Sequence, residues 1–172
     1  MGKVIAYDLG CEPDPSTPAE TLVQNGWDTF LFFFAVRRAS TGPRRFEDLG
    51  VAVVRCEQCT MSRFGYPNDE GLPEHPLYNR GMAECSSSVM EVLDSSWGKE
   101  VYSQRRISAE RIWGARQMST SQASSRIPIP RHFVVALKEA TFECLADSMR
   151  VERICASFDE AFAYVRERIA EH

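Results

Sequence analysis

The sequence has little that would direct the chain to a membrane or to a nucleic acid. Its longest uninterrupted apolar run, residues 30–36, is far shorter than the ~20 residues that cross a bilayer as a helix. The amino-terminal segment has no apolar stretch of signal-peptide length. The 172 residues carry 20 basic and 24 acidic side chains, and a net charge of −4 offers no positive surplus for phosphate backbones. We therefore expect a cytoplasmic protein that binds neither nucleic acid nor membrane.

The sequence also lacks the common motifs of catalysis. It has no glycine-rich phosphate loop, Gly-x-Ser-x-Gly, His-Glu-x-x-His or dinucleotide fingerprint, which argues against nucleotide-driven, zincin-type and α/β-hydrolase chemistry. Cys56 and Cys59 form a Cys-x-x-Cys pair, but there is no second pair to complete a structural zinc site. We interpret this pair as ordinary thiols in a strand, in a chain whose six cysteines are reduced. Neither a metal site at these cysteines nor a resident cofactor is predicted.

The hydrophobic pattern predicts a single α+β domain over residues 1–172, with a mainly antiparallel sheet. Residues 29–38 are apolar on both alternating faces, which is typical of a central strand covered on each side. Most strands are joined by short links of hairpin type, which favours antiparallel pairing. The predicted strands are residues 3–9, 29–38, 49–64, 86–93, 132–137, 141–146 and 150–155.

Two or three helices are expected to pack on this sheet. Thr17 and Glu20 form a capping box, Pro18 occupies the first helical position and Gly26 supplies a stop, so the pattern predicts a helix over residues 18–25. A second helix, capped by a serine, is predicted from residue 95 to about 106. An amphipathic C-terminal helix is predicted from residue 157 to about 170, with its apolar stripe on the sheet. Residues 114–130, rich in Ser, Thr and Gln, are predicted to form a long mobile loop.

The hairpin over residues 131–147 predicts which side chains share a face of the sheet. If its turn is centred on residues 139 and 140, His132 lies opposite Asp147, and both share their face with Glu143. An imidazole beside a carboxylate is oriented and made more basic. Cys144 falls on the opposite, apolar face, where a buried and unreactive thiol is expected. The polar face is consistent either with a site or with an ordinary solvent-exposed surface.

Residues 64–78 form the second candidate region. They combine three prolines, two glycines and two tyrosines without helical or strand periodicity, which is typical of a rigid loop, and such loops often carry sites. His75 lies between two prolines that restrict its backbone, and Glu70 has no evident turn role. Asn68 and Asp69 suit either a tight turn or a binding site.

The motifs in these two regions resemble those of a family of small conserved proteins with no established activity. The resemblance rests on Phe-Gly-Tyr-Pro-Asn-Asp-Glu followed by His-Pro-Leu-Tyr in residues 64–78, and on His-Phe followed by Thr-Phe-Glu-Cys in residues 132–144. It implies that the loop and the hairpin belong to one structural unit.

We therefore predict an enzyme that transforms a small molecule by acid–base chemistry, as a lyase, isomerase or hydrolase, between the loop and the hairpin. The alternatives are a non-catalytic module that binds a small molecule or a protein, and a metal-dependent enzyme that uses the two histidines with carboxylates. A homo-oligomer is also open, since residues 30–34 fit either a core or a subunit contact. The predicted catalytic residues are Glu70, His75, His132, Glu143 and Asp147. The predicted substrate-binding residues are Tyr66, Asn68, Asp69 and Tyr78.

Overall fold

A computed structural model describes residues 2–26, 28–39, 45–114 and 128–170. Within these ranges the chain forms ten strands and two α-helices, so the predicted α+β class with antiparallel strands and a C-terminal helix is confirmed. Neither of these helices is long and apolar enough to cross a membrane. The strands are β1 (Lys3–Ala6), β2 (Glu12–Pro13), β3 (Thr21–Gln24), β4 (Asp28–Arg38), β5 (Phe46–Glu57), β6 (Met61–Gly65), β7 (Val89–Leu93), β8 (Arg131–Ala136), β9 (Thr141–Ala146) and β10 (Ser148–Cys155). The helices are α1 (Ser96–Gly114) and α2 (Phe158–Ala170).

The described strands form two antiparallel sheets. Sheet 1 has the order β1-β7-β8-β9-β6, and sheet 2 has the order β10-β5-β4-β2, with β3 also paired to β4. The inner faces of the two sheets pack together through a core that includes Leu31 and Phe33 of sheet 2 and Phe133 and Phe142 of sheet 1. Burial of these aromatic and aliphatic side chains is the main contribution to the stability of the fold.

The outer faces of both sheets are also covered. On sheet 2, Phe32 and Val53 pack against α2 through Ala161 and Val165, which is why β4 is apolar on both of its faces. On sheet 1, Met90, Val92 and Val134 pack against apolar side chains of the β6–β7 loop, residues 66–88. These described elements therefore form four layers, and the β6–β7 loop lies directly over the outer face of sheet 1.

The predicted helix over residues 18–25 is wrong. This segment contains β3, which pairs with β4 from Thr21 opposite Phe32 to Gln24 opposite Thr29. The supposed capping groups bind elsewhere: the Thr17 hydroxyl donates to Asp14, and the Glu20 carboxylate accepts the N–H of Glu139. An eight-residue helix is only marginally stable by itself, whereas pairing with β4 satisfies an otherwise open strand edge.

Several predicted boundaries also differ from the structure. The single strand predicted over residues 49–64 is two strands in different sheets, because the chain reverses at Gln58, whose φ is 52°. Cys56 therefore lies in β5, but Cys59 follows the turn and lies outside a strand. The helix predicted to end near residue 106 continues to Gly114, and most of the loop predicted over residues 114–130 lies outside the described residues.

Candidate active site

The register of the β8–β9 hairpin decides which side chains reach the outer face of sheet 1. His132 pairs with Leu145 and Val134 pairs with Glu143, so the turn is centred on residues 138 and 139, one position earlier than predicted. Leu137 donates its N–H to the Ala140 carbonyl, which closes a two-residue loop. The pairing is shifted by two residues, and an even shift leaves every side chain on its predicted face. His132 and Glu143 therefore share the outer face, and Cys144 lies in the inner core.

The predicted position of Asp147 opposite His132 is wrong. Asp147 lies beyond the end of β9, where its side chain is exposed and its N–H donates to the Glu57 carbonyl. The two-residue loop places Leu145 opposite His132 instead. The carboxylate that contacts His132 is that of Glu143, on the neighbouring outward-facing position.

Glu143 is the centre of the site, because its carboxylate contacts two imidazole rings. Oε2 lies 2.9 Å from Nε2 of His132, and Oε1 lies 3.4 Å from Nε2 of His75. His132 comes from sheet 1, whereas His75 comes from the β6–β7 loop. Both histidines are buried, with 4% and 5% of their surface exposed. The loop and the hairpin thus meet at a single shared carboxylate.

The second nitrogen of each ring is also engaged. Nδ1 of His75 accepts the N–H of Leu77 at 3.2 Å, so the proton of the neutral ring lies on Nε2, facing Glu143. Nδ1 of His132 lies 2.9 Å from the Ser95 hydroxyl oxygen, which itself accepts the N–H of Gly98 at 3.0 Å. Because an ionised carboxylate at Glu143 can only accept, the neutral His132 ring holds its proton on Nε2, and Nδ1 then accepts from the Ser95 hydroxyl.

The electrostatics of the cluster keep Glu143 ionised. Burial by itself raises the pKa of this carboxyl, but hydrogen bonds from His132 and His75 outweigh the burial and lower the pKa from 4.5 to about 2. Trp97 packs edge-on against the His132 ring with 5.1 Å between the ring centres, which restricts its orientation. The result is a charged carboxylate held between two oriented imidazoles.

The cluster forms part of the wall of a cavity of about 410 Å³. Ser95, Trp97, Arg63 and Arg80 line the same cavity together with His75, His132 and Glu143. A smaller cavity of about 270 Å³, lined partly by Tyr66, shares Arg63, His75 and Glu143 with the larger one. The larger volume lies within the range that is typical of small-molecule sites.

Two arginines give the cavity wall a positive character. Arg63 lies over the Trp97 ring at 4.4 Å, and Arg80 is half-buried on the β6–β7 loop. Within the described residues, neither guanidinium has an ion-pair partner, and Glu143 is the only carboxylate on the wall of the larger cavity. The unpaired guanidinium groups favour a ligand that carries negative charge.

The structure brings together His75, His132 and Glu143 of the predicted catalytic set. Glu70 is exposed and lines neither cavity. Asp69 pairs with Lys138 of the hairpin turn at 2.7 Å, and Asn68 accepts the N–H of Gly71, as a turn residue does. The sequence also predicts two tyrosines as substrate-binding residues. Tyr66 is 70% exposed and lines only the smaller cavity, whereas Tyr78 lines neither.

Sequence reasoning missed most of the cavity wall, including Ser95, Trp97, Arg63 and Arg80. The sequence predicts only that a serine caps the second predicted helix, and Ser95 does cap α1. The other three are far apart in sequence, and only the packing of α1, β6 and the β6–β7 loop brings them together. Their types alone gave no signal, because unpaired arginines are common on protein surfaces.

In the described residues, metal binding and thiol catalysis have less support than acid–base chemistry. These residues contain no group of three or more His, Cys, Asp or Glu side chains arranged to hold a metal ion.

All six cysteines are free thiols. Cys59 has a pKa lowered to about 7, mainly by a hydrogen bond from Cys144 that outweighs burial, but both thiols are buried. Burial raises the pKa of Cys144 well above its ordinary value, in agreement with the unreactive thiol predicted there.

No family model, curated protein or solved structure matches this chain. The function is therefore argued from the geometry of the site. The β6–β7 loop and the β8–β9 hairpin are in direct contact, since the Thr141 hydroxyl of β9 donates to the Pro67 carbonyl of the loop at 2.7 Å.

Proposed function

We propose that the protein is an enzyme that transforms a small organic molecule by acid–base chemistry in the cavity between the β6–β7 loop and the outer face of sheet 1. The observation that carries this proposal is the carboxylate of Glu143 shared by the buried rings of His75 and His132 at the cavity wall. Clusters of ionisable groups with perturbed pKa values in a cleft are typical of active sites. The cavity supplies the space that a substrate requires.

The proton positions indicate how the cluster would act. The ring of His132 donates Nε2–H to Glu143, so a proton gained at Nδ1 of His132 would create an imidazolium ion stabilised by the ionised carboxylate. Nδ1 reaches the cavity through the hydroxyl of Ser95, which lines it. Ser95 therefore connects the acid–base pair to the substrate. His75, bound to the other oxygen of Glu143, keeps that carboxylate oriented and ionised.

The charge of the wall supports a negatively charged substrate. Arg63 and Arg80 have no carboxylate partner among the described residues, and a guanidinium group binds carboxylate or phosphate through paired hydrogen bonds. A small organic acid or a phosphate compound of suitable size fits both this charge and the cavity volume. Lyase, isomerase and hydrolase reactions are all compatible with the acid–base pair.

A non-catalytic binding module is the second candidate. Phe64 and Tyr66 are 41% and 70% exposed at the edge of sheet 1, where an aromatic surface could contact a partner. In this alternative, the two histidines and Glu143 serve only to fasten the loop to the sheet. The module would bind its ligand equally well when Glu143 is replaced by Gln, and would leave the ligand unchanged.

A substrate screen with matched variants tests the proposal. The purified protein is incubated with small carboxylic acids, hydroxy acids, phosphate monoesters and the corresponding esters and amides, and substrate loss is followed by proton NMR. We expect turnover of an anionic compound that falls on the order of a hundredfold in Glu143→Gln. The control Glu139→Gln, on the exposed turn of the same hairpin, is expected to keep full activity. Full turnover by folded Glu143→Gln protein, checked by circular dichroism, would contradict the proposal.

A further inference from the structure

The connection between β7 and α1 has an unusual backbone conformation at the cavity. β7 ends at Leu93, Asp94 follows with φ of 54°, and Ser95 caps α1 immediately afterwards. The left-handed region is uncommon for residues other than glycine, and aspartate is one of the few that adopt it readily. The sharp turn places the Ser95 hydroxyl between the start of α1 and the His132 ring.

We propose that Ser95 is a nucleophile that forms an acyl-enzyme with a small carboxylic ester, so that the reaction in this cavity is ester hydrolysis. This inference rests on the proposed function, because it assigns the acid–base pair of the same site to one reaction and one substrate class. Its basis is the continuous series of hydrogen bonds from Ser95 to His132 and from His132 to Glu143, each of 2.9 Å.

This arrangement has the three roles of a serine–histidine–carboxylate triad, which is recognised by geometry rather than by sequence position. Nδ1 of His132 faces the hydroxyl, and Nε2 faces the carboxylate. Either ring nitrogen can act as the base when the other holds the proton. The chain has no Gly-x-Ser-x-Gly motif, so a different strand–turn–helix junction presents this serine.

The proposed reaction has two balanced halves. The Ser95 oxygen attacks the ester carbonyl while its proton moves to Nδ1 of His132, and the carbonyl electron pair becomes an oxyanion. The oxyanion collapses, the bond to the leaving alkoxide breaks, and the alkoxide takes the proton from Nδ1 as an alcohol. Water then gives a proton to Nδ1, attacks the acyl group and releases the acid as Ser95 regains its proton.

The beginning of α1 supplies donors for the oxyanion. Within the described residues, the N–H groups of Ser96 and Trp97 have no hydrogen-bond acceptor, as expected for the first turn of a helix. Both residues line the cavity beside Ser95. Backbone N–H groups at a helix start stabilise developing negative charge, and Arg63 above the Trp97 ring adds a positive group nearby.

A purely structural cap is the alternative role of Ser95, and it makes a different prediction. The cap uses the oxygen of Ser95 as an acceptor for the Gly98 N–H and makes no use of His132. A hydroxyl can accept from Gly98 and donate to His132 at once, so the two roles are compatible. Only the nucleophile, however, becomes covalently modified, and only at a rate that depends on His132.

Diisopropyl fluorophosphate tests this difference directly. Attack by an activated serine forms an oxygen–phosphorus bond, releases fluoride and passes the serine proton to the histidine. We expect a one-to-one adduct that peptide mass spectrometry places on Ser95, and no adduct in Ser95→Ala. His132→Gln is expected to slow labelling on the order of a hundredfold. Ser103→Ala, at an exposed serine of the same helix, is expected to react like the unaltered protein.

Further variants distinguish loss of the nucleophile from loss of folding, and failure of the nucleophile from failure of the proposed acid–base function. Ser95→Asn retains a good helix cap without a nucleophilic hydroxyl, so it separates lost chemistry from lost folding. Absence of the adduct from folded unaltered protein, or equal labelling of His132→Gln, would overturn the nucleophile. If Ser95→Asn still turns over a substrate that Glu143→Gln does not, the nucleophile is refuted and the acid–base function stands.

Discussion

Replacing Glu143 with Gln is expected to change how the stability of the protein depends on pH. In the folded state the pKa of Glu143 is lowered from 4.5 to about 2, and each pKa unit corresponds to ~1.4 kcal/mol. The ionised carboxylate therefore contributes on the order of 3 kcal/mol to the free energy of unfolding at neutral pH. Because the folded pKa is the lower one, this contribution is present above pH 4.5 and is lost as the pH falls towards 2. About 2 kcal/mol of it is lost by pH 3.

Urea denaturation at pH 6, 4 and 3, followed by circular dichroism, measures this contribution. The difference in unfolding free energy between the unaltered protein and Glu143→Gln is expected to shrink by about 2 kcal/mol from pH 6 to pH 3. Carboxyl groups that do not contact Glu143 titrate alike in both proteins and cancel from the difference. Glu139→Gln serves as the control, with a difference that stays near zero. A difference between the unaltered protein and Glu143→Gln that is constant over this range would refute the proposed charge state of Glu143.

Three further predictions concern the core, the loop and the cavity wall. Phe133→Ala, at a side chain with no exposed surface, is expected to lower the free energy of unfolding by about 3–5 kcal/mol in urea denaturation. A loss below about 1 kcal/mol would contradict the position of Phe133 between the sheets. Gly81→Ala is expected to lower the melting temperature, because φ is 107° and the added carbon would lie 2.8 Å from the Val4 carbonyl oxygen. The control Gly26→Ala, with open space around the added carbon, is expected to change the melting temperature little. Arg63→Gln is expected to raise KM for an anionic substrate but not for its neutral amide, and equal effects on both in steady-state kinetics would argue against a charge-recognition role.

The fold class was predictable because it depends on local periodicity. The strand predicted over residues 29–38 from its two apolar faces is β4, and sheet 2 does lie between the inner core and α2. The helix predicted over residues 18–25 failed for the opposite reason. Its capping residues are a local signal, but the segment is stabilised by pairing with β4, which no local pattern reveals.

The site was predictable only in part. One part depends on the alternation of side chains along a strand, and the other depends on the packing of elements that are far apart in sequence. The alternation of β8 and β9 placed His132 and Glu143 on one face, and an error of two residues in the register could not change that. The same error was sufficient to misplace Asp147. Ser95 and Arg63 come from other elements, and no spacing rule links them to His132.

The cost of burying the central cluster argues for a role beyond holding the fold together. A charged carboxylate removed from water loses its hydration, and apolar side chains of similar size often stabilise a buried position equally well. Sheet 1 already packs against the β6–β7 loop through Met82, Met90 and Val134, so apolar packing was available here. Glu143 instead lies at the wall of an open cavity, where its two imidazole partners and a serine face the same space. This arrangement is more typical of a proton-transfer site than of a structural contact between the loop and the sheet.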